Sequence, residues 1–104
     1  MGSTIPSKIV RKIIFDILIE RSNAIDDDCD KLIKKDMEEF GAVGDYACEV
    51  GWTACGTRVL ADEILEGIMS LEEAVEVLSL EERREAKTRC QNWLDEKNKN
   101  DIEK

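Results

Sequence analysis

The chain contains no histidine, and its only proline is Pro6. The first absence removes the commonest general base, the commonest metal ligand and every Ser-His or Cys-His nucleophile pair. The second means that no residue after Pro6 obliges a helix to stop for want of an N–H. Aromatic residues make up 5% of the chain, too few for the packed faces of a β-sandwich. Long apolar runs are missing as well. The densest, Ile13 to Ile19, is interrupted by Asp16 and is far shorter than the roughly 20 residues of a membrane-spanning helix. No uninterrupted apolar segment follows the N-terminus, so no signal peptide is expected. The four cysteines, Cys29, Cys48, Cys55 and Cys90, form no CxxC and no zinc-module spacing. No phosphate-binding loop, dinucleotide-binding glycine pattern or RNA-binding aromatic signature occurs. The expectation is a protein that is not an enzyme, holds no cofactor or metal, and works in the cytoplasm.

What is present is charge. Charged residues are 38% of the chain, well above the usual quarter, and the net charge is −9. Such a surface repels phosphate backbones, which argues against direct nucleic-acid binding. The balance is uneven. Up to Ser22, Lys8, Arg11, Lys12 and Arg21 outnumber Asp16 and Glu20, and the remainder is acidic. Leu, Glu, Lys, Arg and Ala are strong helix formers. Length fits one domain, expected over residues 1–96, with a frayed polar tail over 97–104.

The expected fold is all-α, a small helical bundle of four to five helices around a central apolar helix at about 45–67. A first helix starts beside Pro6 and runs to Arg21. Its polar stripe of Lys8, Arg11, Lys12, Asp16 and Glu20 leaves Ile9, Val10, Ile13, Ile14, Ile17 and Leu18 for burial. Ser22–Asp30 reads as a turn and a new helix start, because aspartates suit a helix N-terminus. Asp26, Asp28 and Asp30 also resemble the opening of a calcium loop. That loop needs Gly and Glu where Lys31 and Met37 stand, so calcium is discounted. The second helix ends at Gly41.

Asp45–Met69 is the least charged stretch, apolar nearly all round in its first half, and is therefore expected to be buried. Ala47, Gly51, Ala54 and Arg58 share one stripe, and Cys48, Trp52, Cys55 and Val59 the adjacent one. The small residues, and the cost of a glycine inside a helix, predict close helix contact or a local kink at Gly51 and Gly56. A short hairpin at 46–56 is the alternative. Ser70-Leu-Glu-Glu73 and Ser79-Leu-Glu-Glu82 are two capping boxes that open two further helices. The cysteines, each on an apolar stripe, are expected to be four buried free thiols.

With catalytic apparatus lacking, binding is the expected function. The leading reading is a small acidic adaptor or inhibitor of a partner enzyme, of a kind that would suit a phage- or mobile-element-encoded modulator of a host. Trp52, Glu49, Arg58, Asp26, Asp27 and Asp28 are the candidate partner-binding residues. Two alternatives stand beside it. One is an acidic nucleic-acid mimic that blocks a nucleic-acid-binding protein. The other is a helical oligomer holding a small ligand around Trp52, Glu49 and Arg58. Surplus apolar surface predicts a homodimer, self-associating along Ile13, Ile17, Val50, Trp52 and Ala54.

Overall fold

From Ser7 to Phe40 the sequence holds neither glycine nor proline, so nothing in it forces a helix to end. The computed structural model describes residues 5–102, with side chains described through residue 99. In it Ser7–Phe40 is one helix, α1, of 34 residues. This corrects the expected turn at Ser22–Asp30. Ser, Asn and Asp cost a helix only tenths of a kcal/mol each, about 0.5 kcal/mol per residue. Contacts with the next helix offset that cost. Ser22 is fully buried and its Oγ donates to the carbonyl of Ala54 at 2.8 Å. Asp26 pairs with Arg58. Cys29 packs against the same neighbour, its Sγ 3.3 Å from the carbonyl oxygen of Ala47.

Gly41, with φ 70°, adopts the left-handed conformation that closes α1, and its N–H bonds the carbonyl of Met37. Asp36 then accepts from the N–H of Gly44 at 2.9 Å, so α1 itself anchors the start of α2 (Asp45–Glu66). The cap residue is Gly44, and Asp45 lies in the first turn. Gly67 ends this helix at φ 84°. The helix is continuous through 46–56, without a hairpin. Two short elements follow, α3 (Leu71–Val77) and the start of α4 (Leu80–Ile102). The second expected capping box forms in full and the first by its serine half alone. Ser70 accepts from the N–H of Glu73, while Ser79 and Glu82 bond each other's N–H reciprocally. Helix α4 continues past Lys97, the expected start of the tail; residues 1–4 and 103–104 lie outside the described residues.

The described residues thus form an all-α bundle of four helices and no strand, 63 × 28 × 21 Å in extent. None of these helices is long and apolar enough to cross a membrane. The element that packs against each of the others is α1. It runs antiparallel to α2, with Ser22 at Ala54 and Cys29 at Ala47. Ala47, Ala54 and Ala61 recur every seven residues on α2 and are all buried. Thr57 and Ile64, on the intervening positions, are buried too. Alanine at each heptad position lets the two backbones approach closely. At Gly51 a Cβ would sit 3.3 Å from the sulfur of Cys29, which accounts for the glycine as the expected close contact. The apolar core lies at the other end of this pair. There Ile14, Ile17 and Leu18 meet Ala61, Ile64, Ala74 and Leu78.

Three arginines tie that end together. Arg11 donates to the carbonyls of Ile64 and Met69, at 2.8 and 2.6 Å, satisfying the C-terminal end of α2. Arg83 donates to the carbonyl of Val75 at 2.9 Å in α3. Arg21 donates to the carbonyl of Val77 and, through Nε and Nη2, to both carboxylate oxygens of Glu82. The basic excess of the first 22 residues is therefore in part structural.

The Glu82 pair supports a prediction. The Arg21 guanidinium, by direct hydrogen bonding, holds the Glu82 carboxyl below the ordinary glutamate range. A carboxyl depressed in the folded state contributes stability above its unfolded pKa, and that contribution disappears as pH falls through the folded value. Glu82→Gln keeps the capping oxygen and removes the charge. It is expected to cost about 1–3 kcal/mol at neutral pH. It should also flatten the loss of stability below about pH 4.3. Urea unfolding measured across pH reads both effects; an unchanged acid limb would mean that the pair contributes nothing.

Candidate functional site

Helix α2 can present only one side to α1, so an apolar helix paired with one neighbour leaves the other side in solvent. The alanine side is buried. The stripe Cys48, Trp52, Cys55 and Val59 faces outward, with Trp52 at 81% exposure and Val59 at 56%. This corrects the expectation that α2 is buried all round. Spacings of four, three and four residues align these side chains along roughly 16 Å of helix. Acidic residues close both ends: Asp45 and Glu49 at one, Asp62 and Glu66 at the other, all exposed. The sole base of α2, Arg58, lies off this stripe and is occupied by Asp26. Asp45, Cys48, Glu49 and Trp52 line a shallow hollow of about 270 Å³. One turn beyond Trp52, a Cβ built on Gly56 would meet nothing within 4 Å. Glycine inside a helix costs about 1 kcal/mol against alanine, and at Gly56 no contact within the chain requires it.

The expected site residues separate. Trp52 and Glu49 meet at the hollow, both exposed. Arg58 and Asp26 meet each other across the two helices, away from Trp52. Asp27 and Asp28 point into solvent on α1. The residues expected for self-association do not share one exposed face. Ile17 and Ala54 are buried inside the chain, and Ile13 and Val50 are partly buried. Of that set only Trp52 is freely exposed. Trp93, by contrast, is half-buried, with the Lys97 ammonium 5.3 Å from its ring centre.

A second hollow, about 400 Å³, lies between α1 and α4 above Ile17. Apart from Glu81, its polar lining is already paired: Arg21 with Glu82, and Arg89 with Glu20 and Glu85. Among the described residues no group of His, Cys, Asp or Glu side chains is placed to hold a metal ion.

All four cysteines are free thiols, as expected, but only Cys29 is buried. Cys48 and Cys55 are exposed, a correction that follows from which side of α2 faces α1, and Cys90, on α4, is only partly buried. Burial pushes the Cys29 thiol up, with Asp30 and Asp26 adding to it, and burial alone does so for Cys90. Thiolate is the reacting form. A thiol reagent at about pH 8 is therefore expected to modify Cys48 and Cys55 rapidly in the folded protein, and Cys29 and Cys90 at least about tenfold more slowly. Mass mapping at short reaction times checks this; equal rates at Cys29 and Cys48 would contradict the assigned burial.

Cys48, Trp52, Cys55 and Val59 are legible in the sequence as a stripe, but pattern alone places them in the core. No family model, curated protein or solved structure matches the chain.

Proposed function

We propose that this chain is a small acidic protein-binding module, an adaptor or inhibitor of a partner enzyme, whose binding surface is the outward face of α2. The observation that carries this is the tryptophan at 81% exposure in the middle of a continuous apolar stripe. Exposed apolar stripes of this kind mark interaction sites, and tryptophan is the commonest binding anchor. The reading involves no catalytic step. Free thiols, two of them exposed on this face, fit a reducing compartment such as the cytoplasm. A partner enzyme supplied by a host cell, with this chain encoded by a phage or mobile element, is compatible with small size and high charge.

The nucleic-acid mimic remains a second reading, favoured by one observation. Two of the bases that interrupt the acidic residues of α4 are engaged within the chain, Arg89 by Glu20 and Glu85, and Arg83 by carbonyls of α3. Affinity capture from a source lysate with wild type and Trp52→Ala in parallel separates the two. The module reading expects a partner held by the wild type, lost with Trp52→Ala, and only weakly sensitive to salt. A partner retained equally by both proteins and released steeply by salt would favour the mimic. Trp52→Ala is expected to leave the melting temperature unchanged, because the side chain is outside the core.

A further inference from the structure

We propose that the occupant of this face is an amphipathic helix of a partner protein, with basic residues beside its apolar seam, laid along α2. The inference rests on the reading of α2's outward face as the binding surface. Helices pack by inserting a side chain into a hole made by residues i, i+3, i+4 and i+7 of the neighbour. The hollow at the start of α2 is lined by Asp45, Cys48, Glu49 and Trp52, which is that set. Seven residues on, Trp52, Cys55, Gly56 and Val59 form the same set again. Its floor is open because Gly56 carries no side chain and a Cβ there would meet nothing. Gly51 is accounted for by the sulfur of Cys29, whereas Gly56 has no such counterpart within the chain. Two holes one heptad apart match two knobs one heptad apart on a facing helix.

The chemistry of the holes differs. The first has two carboxylates on its rim and the Trp52 indole on its wall. It suits a lysine or arginine whose stem lies on the ring and whose cation meets Asp45 and Glu49. The second is apolar and suits leucine, methionine or phenylalanine. Acids at both ends of the stripe, with Arg58 already paired to Asp26, leave a cationic partner as the electrostatic complement. A second copy docking through the same face would set acids against acids, because the only base of α2, Arg58, is held by Asp26. A membrane surface of anionic lipid is disfavoured for the same reason.

The test uses the full chain and synthetic helical peptides of about 18 residues, long enough to cover both holes. The first peptide carries Lys and Leu seven residues apart on its seam with Lys and Arg on the flanks. The second replaces the flanking bases with Glu, and the third scrambles the seam. Calorimetry is expected to detect the first peptide and not the others. Gly56→Leu, which fills the second hole with a good helix former, should weaken binding by about tenfold or more while the melting temperature holds or rises. Glu49→Lys should weaken it by a similar factor and favour the Glu-flanked peptide.

Equal binding to wild type and Gly56→Leu, equal binding of the Glu-flanked peptide, or no binding of the first peptide would each overturn the proposal. So would light scattering that finds a wild-type dimer broken by Gly56→Leu, since the occupant would then be a second copy. Lysate capture keeps this failure apart from failure of the parent reading. A partner lost with Trp52→Ala but retained by Gly56→Leu and Glu49→Lys leaves the face in place and removes the helical occupant. A partner indifferent to Trp52→Ala removes the face itself.

Discussion

Ala54→Glu is expected to unfold the α1–α2 pair and not merely to change an association state. Ala54 is fully buried, its carbonyl accepts the Ser22 hydroxyl, and alanine is what allows the helices to touch at this level. A glutamate there adds volume to a closed seam and buries a carboxylate. The one base of α2, Arg58, is already engaged by Asp26. An unpaired buried charge costs about 3–5 kcal/mol even after relaxation. Overpacking adds about 1–3 kcal/mol. A domain of this size has only about 5–15 kcal/mol of stability in total. Far-UV circular dichroism and a thermal melt of Ala54→Glu beside Trp52→Glu check this. The outward Trp52→Glu should stay within about 0.5 kcal/mol of wild type. A cooperative melt of Ala54→Glu near the wild-type temperature would show that the seam is not closed.

Leu18→Ala is expected to produce the next largest loss. Leu18 is fully buried where α1 meets Ile64 of α2, Ala74 of α3 and Leu78 just beyond α3. Two of those neighbours are rigid helical positions that relax little into a void. The expected cost is about 2–5 kcal/mol. That corresponds to a melting temperature lower by roughly 10–30 °C for a chain of this length. Leu80→Ala is the comparison: Leu80 is 70% exposed at the start of α4 and should change stability by less than about 0.5 kcal/mol. A Leu18→Ala variant that melts with the wild type would place the core elsewhere.

The two variants bear on the same division within the molecule. Substitutions on the buried side of α2 and α1 should act through folding. Substitutions at Trp52, Gly56 and Glu49 should act through binding with folding intact. That contrast makes the outward face experimentally separable from the scaffold. The scaffold's other joints, the Arg11 and Arg21 bonds to carbonyls at the ends of α2 and α3, fall on the folding side.

Helix ends and local close contacts are legible in the amino-acid sequence. Gly41 closes α1, the two Ser-Leu-Glu-Glu boxes open α3 and α4, and Gly51 marks the point where two helices touch. The caps depend on residues within a few positions of one another, so the chain alone determined them; of Gly51 and Gly56, both expected to mark a close contact, only Gly51 meets a neighbour, and that neighbour, Cys29, lies on α1. Charge and composition likewise determined the all-α class. The bridging of Ser22–Asp30 into one helix was decided by tertiary structure, because the compensating groups, Ala54 and Arg58, lie far along the chain. The carbonyl-binding arginines were hidden for the same reason. Which side of α2 faces solvent was also decided there. Pattern could not choose between two apolar stripes of one helix. Packing could, because α1 approaches most closely over alanines spaced seven apart, and that choice left the stripe with Trp52 outside.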